Sequence, residues 1–362
     1  MKKRKIKIIP AIIVSFFLLV IIAAVVVVMM YFNGIKSVSK KSVEVTFVVN
    51  ENETFSTLSD DLKKNDLIKS EFFYKIYIKL NKPTGLQKGT YKLNKNMDVK
   101  RIVSVLGNGS KYVETNRITF KEGKNMRAYI KLISEKTGIK EEDILAKLKD
   151  TAYLDKLITK YWFLKADIKN ANLYYSLEGY LYPDTYEFKK DATIEEILET
   201  ILDNTEKKLK KYETSLTNSK YSVHELITLA SIVELESVGN DRAGVAGVFY
   251  NRLNAKQTLG SDVTTYYGAK VDMSERDLYQ AELNAVNGYN TRVSVMAGKL
   301  PIGPICNPSV LSLEAVLNPT NSDYFYFVAD KNKKVYYSKT YNEHLATIQN
   351  LKSKGLWYTY NN

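Results

Sequence analysis

One cysteine, two histidines and two tryptophans in 362 residues remove several chemistries at once. A lone Cys306 makes no intrachain disulfide, and with only His224 and His344 beside it a zinc site of the usual composition lacks ligands. A serine triad would need one of those two histidines, and no G-x-S-x-G elbow occurs. No G-x-x-x-x-G-K-[ST] loop is there to cradle a phosphate, so no cofactor is expected. Proline is scarce and lopsided: Pro301, Pro304, Pro308 and Pro319, four of seven, fall within nineteen residues. Lys299–Ser309 (KLPIGPICNPS) is therefore stiff and poor in main-chain donors, fit to wall a groove or to serve as an inert connector. Acidic residues are outnumbered, giving a formal net charge of +13. The surplus suits anionic partners such as wall polymers or lipid headgroups; the lysines are too scattered for nucleic acid.

Charge is also missing from Ile8 to Phe32, an apolar run broken only by Pro10 and Ser15. About 20 such residues cross a bilayer core. The run outlasts the ~7–15 apolar residues of a signal peptide, and no small-x-small cleavage site follows in MYFNGIKS. Lys2, Lys3, Arg4, Lys5 and Lys7 precede it, which predicts a cytoplasmic N-terminus, a single-pass anchor in the cell membrane and an extracytoplasmic remainder. That remainder, roughly 330 residues, has room for two domains.

The pattern predicts an α+β protein. Residues 1–7 form a cytoplasmic basic tail, 8–32 the transmembrane helix and 33–42 a polar tether. Within 43–113, Val43–Val49 alternates as a strand, Thr57–Leu67 and Ser70–Leu80 read as helices, and Gly89–Leu93 returns as a strand. Asp98–Leu106 is a further helix, ended at Gly107-Asn108-Gly109. A weak repeat links Val45-Thr46-Phe47 to Ile118-Thr119-Phe120, each followed by two helices, so 114–170 reads as a second strand–helix–helix unit or connector. From 171 to 362 a larger mixed domain follows. Tyr324–Ala329 and Lys334–Ser338 read as a β-hairpin around Asp330-Lys331-Asn332, and Asn342-Glu343-His344 opens a last helix.

Glu234 is the one charged residue in the run Leu226–Leu235 (LITLASIVEL). Burial in such a helix disfavours the charged form, and a neutral carboxylic acid near pH 7 is what general-acid catalysis needs. Ser222 and Glu225 fit a capping box that starts this helix. At about 100° per residue Val223, Ile227, Ala230 and Glu234 fall within roughly 40° of one another, and Glu236 lands opposite. Helical spacing thus nominates Glu234 as the inward carboxylate. A buried glutamate paired with Arg or Lys for structural reasons is the alternative.

Several segments resemble the YceG-like (MltG) family of endolytic murein transglycosylases. They are Leu177–Phe188 (LEGYLYPDTYEF), Ala230–Glu236 (ASIVELE), Val245–Leu253 (VAGVFYNRL), Tyr289-Asn290-Thr291, Gly303–Pro308 (GPICNP), Tyr326–Ala329 and Glu343-His344. The resemblance implies a single-pass anchor, a small LysM-like α+β module and a C-terminal catalytic domain. It also implies cleavage of nascent peptidoglycan glycan strands to 1,6-anhydro-muramyl ends, limiting strand length beside peptidoglycan synthases. The family's catalytic glutamate falls on the first Glu of A-S-I-V-E, which is Glu234 here. Protonated, it would donate to the glycosidic oxygen; as carboxylate it would take the proton of the muramyl C6 hydroxyl as that oxygen closes on C1. Among Glu178, Asp184, Glu236 and Asp262, the motif segments favour Glu178 and Asp262 as substrate-binding residues, with Tyr289, Asn290 and Asn307 as ligands for N-acetyl or hydroxyl groups. The chain departs from the family at Gly260, Val263, Arg292, Ile302 and Val335. A non-catalytic wall-binding scaffold and a lysozyme-like hydrolase are the competing readings.

Overall fold

The computed structural model describes residues 8–108, 115–237 and 241–357, with side chains from residue 16 onward. The basic tail Met1–Lys7 and the predicted stop at Gly109 lie outside the described residues. The chain divides into two compact units, Met1–Glu114 and Thr115–Asn362.

The first unit opens with α1 (Ile8–Gly34). Its stretch Phe16–Gly34 has a mean hydropathy of 2.7, and residues 16–30 are all exposed. Among the described residues it is the one helix long and apolar enough to cross a membrane. Strand β1 (Glu44–Val49) then pairs antiparallel with β2 (Gly89–Asn94), in register from Glu44 opposite Asn94 to Val49 opposite Gly89. Between the strands lie α2 (Ser59–Lys64) and α3 (Glu71–Asn81), and α4 (Val99–Gly107) follows. Alternation sends Phe47, Val49, Tyr91 and Leu93 to one face of the ribbon, where they meet Leu62, Tyr74, Ile78 and Ile102. Helix α2 is shorter than its apolar pattern predicts, because the chain turns out through Asp66 at φ 59°. Ser70 caps α3 by accepting from the Phe73 N–H, and Asp98 caps α4 by accepting from Arg101. The predicted tether is bonded into the unit: Ile35 O accepts from Val99 N–H, and Ser39 N–H donates to Lys95 O.

The second unit repeats the plan with a longer excursion. Strand β3 (Thr115–Thr119) pairs antiparallel with β4 (Thr185–Lys189), and α5 (Met126–Thr137), α6 (Glu141–Lys149) and α7 (Thr151–Lys160) lie between them. The partner of β3 comes from the LYPDTYEF segment, so 114–170 does not close on itself. One continuous core runs from Ile118 and Phe120 through Tyr161, Phe163 and Ile168 to Leu177, Tyr180 and Val316. The predicted boundary at 170/171 falls inside that core.

Beyond β4 come α8 (Ile194–Leu209), α9 (Glu213–Thr217), α10 (Val223–Glu236), α11 (Arg242–Asn254), α12 (Asp262–Ala269), α13 (Gln280–Leu283) and α14 (Val310–Leu317). Strands β5 (Tyr326–Ala329) and β6 (Val335–Ser338) pair antiparallel, and α15 (Tyr341–Ser353) packs on both. The central element is α10. Its capping box is in place: Ser222 Oγ accepts from Glu225 N–H while Glu225 accepts from Ser222 N–H. Helices α11, α12 and α14 all pack on it, and Leu226 through Val233 are buried without a break. A helix surrounded in this way has no single inward face.

Candidate active site

Helix α10 is buried without a break from Leu226 to Val233, and solvent reaches it again at its C-terminal end, where Glu234 and Glu236 sit. They go to different places. Glu234, with a side chain 7% exposed, points at the start of α14. Its Oε2 accepts from Ser309 N–H at 2.9 Å, from Ser309 Oγ–H at 2.6 Å and from Ser312 Oγ–H at 2.6 Å. Arg242 lies 3.7 Å from its Oε1 and donates through Nε to Ser312 Oγ at 3.0 Å. The carboxyl therefore clamps the first turn of α14, using donors that a helix start leaves free. The greasy run around Glu234 does not describe its surroundings: the carboxyl end reaches past the apolar residues into a polar nest.

Glu236 opens instead onto a cleft of roughly 280 Å³. Ser261, Asp262, Arg252, Tyr326 and His344 line it with Glu236. Ser261 Oγ–H donates to Glu236 Oε1 at 2.5 Å. Burial pushes the Glu236 carboxyl up to about 6; the Ser261 hydrogen bond opposes that and the Asp262 charge adds to it. A carboxylic acid that keeps its proton to about pH 6 at the edge of a polar cleft has the properties of a general acid.

Opposite Glu236, Arg252 fixes the wall. Its Nε donates to Phe325 O and its Nη1 to Thr258 O, with the guanidinium 4.7 Å from the Tyr326 ring centroid. His344 stacks on Tyr326 at 5.4 Å, and its buried Nδ1 has no hydrogen-bond partner among the described residues. Burial and the Arg252 charge lower the His344 pKa, so the ring is neutral near pH 7. Gly260 takes the left-handed conformation at φ +64°, and a Cβ there would come within 3.3 Å of Arg252 Nη1. The departure from the family at this position thus fits the local backbone.

The predicted substrate-binding residues divide by exposure. Asp262 is at the cleft, with a side chain 62% exposed, and pairs with Arg292. The others are buried and engaged within the protein. Glu178 accepts from Met126 N–H and from Tyr267 Oη–H at 2.9 Å, and burial pushes its carboxyl up to about 8 against those hydrogen bonds. Tyr289 Oη accepts from Tyr174 N–H. Asn290 Oδ1 accepts from Thr265 Oγ–H and Arg292 N–H, while its Nδ2 donates to Leu283 O and Ala285 O. Asn307 Oδ1 accepts from Leu181 N–H and its Nδ2 donates to Lys124 O. Thr291 Oγ1 receives Ser261 N–H, so the Tyr289-Asn290-Thr291 loop holds the segment that presents Ser261 and Asp262. Arg252, Tyr326 and His344 lie in segments that carry the family resemblance, but nothing in their spacing shows that they meet.

The chain is similar to known proteins over most of its length. The model of the YceG-like family matches residues 47–350. An endolytic murein transglycosylase of Bacillus subtilis (strain 168) is 35% identical over 313 residues, covering 86% of this chain and 85% of that protein. One of Streptococcus pneumoniae (serotype 2, strain D39) is 31% identical over 328 residues, covering 86% of this chain but 58% of the longer pneumococcal protein. A crystal structure of a yceG-like protein from Listeria monocytogenes, 32% identical, superposes with a TM-score of 0.60 over 85% of this chain and all of that one. With its motifs, its fold and most of its length in common with these proteins, the chain belongs to the YceG-like family.

Proposed function

We propose that this protein is a membrane-anchored lytic transglycosylase that cleaves the MurNAc-GlcNAc bond inside peptidoglycan glycan strands, with Glu236 as its acid and base. The observation that carries the residue assignment is the Glu236 carboxyl at the cleft, protonated up to about pH 6 and held by Ser261. Glu234, the residue nominated by helix spacing, has its Oε2 taken by three donors of α14 and serves to position that helix.

Protonated Glu236 donates to the glycosidic oxygen as the C1–O bond breaks and positive charge develops on the muramyl ring. The resulting carboxylate takes the proton of the C6 hydroxyl while that oxygen bonds to C1. The products are a 1,6-anhydro-muramyl end and a free GlcNAc hydroxyl; no water enters and the acid returns protonated. Asp262 supplies negative charge beside the oxocarbenium-like state, and neutral His344 offers a hydrogen bond to the sugar. Tyr289, Asn290, Asn307 and Glu178 support the cleft from behind.

The strand–helix–helix–strand build of the first unit supports a LysM-like, glycan-gripping role. The charge-free α1 supports an anchor with the basic tail in the cytoplasm and both units outside, where new strands are made and strand length, set beside the synthases, can be limited. Incubating the full chain in detergent with uncrosslinked glycan strands, followed by mass spectrometry, tests the reaction. Anhydro ends are expected. Reducing ends would mean a hydrolase, with Asp262 then the second carboxylate, and binding without cleavage would mean a scaffold.

A further inference from the structure

Helix α3 carries apolar surface along its length that its own unit leaves uncovered. Phe72 is 67% exposed and Leu80 68% exposed, and with half-buried Ile76 they form a stripe at i, i+4 and i+8. Exposed Lys75 and Lys79 run alongside. The place of this stripe in the fold identifies what covers it. The ring of Phe73 packs on Gly34, so closely that a Cβ at Gly34 would lie 2.2 Å from Phe73 Cδ2. Tyr31 meets Phe73 edge-on at 6.2 Å, and Phe72 meets Phe73 at 5.3 Å. Tyr31 and Gly34 belong to the last turns of the apolar span Phe16–Gly34, so the first turn of α3 sits level with the end of the span. There is little slack in between, because Ile35 and Ser39 are bonded to Val99 and Lys95. Aromatic residues at the end of a span, with lysines whose stems run along apolar surface to a charged head, are the chemistry of a membrane interface.

We propose that the first turn of α3 lies in the bilayer interface beside α1, with Phe72 among the upper acyl chains and Lys75 and Lys79 at the phosphates of lipid headgroups. The first unit would then rest directly on the membrane surface. This inference depends on α1 being the anchor, and the test separates the two. The full chain is reconstituted in phosphatidylcholine/phosphatidylglycerol liposomes as Phe72→Trp and, separately, as Phe17→Trp. Emission added over the parent protein is read with lipids brominated near the headgroup or deep in the acyl chains. Both sites are exposed, so the larger indole has room at either. We expect the added emission of Phe72→Trp to be quenched most by shallow bromines, and that of Phe17→Trp, inside the span, to be quenched as well. Quenching at position 17 with none at 72 overturns the interface placement alone. Quenching at neither position removes the anchor, and the placement with it.

Discussion

At the scale of single residues, the chemistry turns on how two carboxylates two positions apart acquire different surroundings. Glu236 keeps a proton to about pH 6 because burial penalises its charge and Asp262 adds repulsion, against the Ser261 hydrogen bond. The acid step needs the protonated form, so kcat/KM for strand cleavage should fall as pH rises through about 6. Asp262→Asn removes the repelling charge, and we expect that alkaline limb to move to lower pH; a pH–rate profile of both proteins checks the direction. Glu178 makes a separate claim about stability. Its carboxyl is raised from 4.5 to about 8 in the folded protein. Between those values the folded state binds more protons than the unfolded, so stability is fullest below about pH 4.5 and declines as pH climbs toward 8. Glu178→Gln should flatten that part of the curve in thermal unfolding measured across pH. An unchanged slope would mean that Glu178 ionises freely in the fold.

At the scale of elements, local signals were readable and distant ones were not. The Ser222/Glu225 capping box depends on four consecutive residues, and the sequence pattern locates it; Ser70 and Asp98, where two helices are predicted to begin, turn out to cap them. Choosing Glu234 by its angle on the helix presupposed a helix with one buried face. Helix α10 is enclosed on every side, so angle carries no information there and the distinction lies at its open end. The pairing of β3 with β4 was hidden in the same way, because Thr119 meets Thr185 across 66 residues and three helices. Close approach between elements also explains Gly179. It stands at φ +85°, and a Cβ there would lie 2.5 Å from Pro304 and 2.9 Å from Ile227 on α10. Gly179→Ala must push the proline-rich loop off α10 as well as strain the backbone, and we expect it to destabilise the second unit by about 1–3 kcal/mol. Denaturant unfolding reads this directly; a loss of a few tenths of a kcal/mol would show that the loop gives way easily.

At the scale of the whole molecule, the same strand–helix–helix–strand scheme is used twice and elaborated once. In the first unit the return strand arrives promptly and a small core closes. In the second it arrives from the LYPDTYEF segment, which draws 114–170 into one core with the cleft-bearing helices. The apolar rhythm along the chain made both strand–helix–helix halves legible. Where the second half closes depends on long-range pairing that no local pattern encodes. The central claim is that the cleft side of α10 does the chemistry while the α14 side holds its shape. It is tested most directly by comparing the release of anhydro-muropeptides by the parent protein, Glu236→Gln and Glu234→Gln under one set of conditions. We expect Glu236→Gln to lose about 10²–10⁴-fold in rate with its thermal stability kept. Glu234→Gln, which retains an oxygen acceptor for Ser309 and Ser312, should keep most activity and lose about 1–3 kcal/mol of stability. The reverse pattern, an active Glu236→Gln beside a folded but inert Glu234→Gln, would contradict the account.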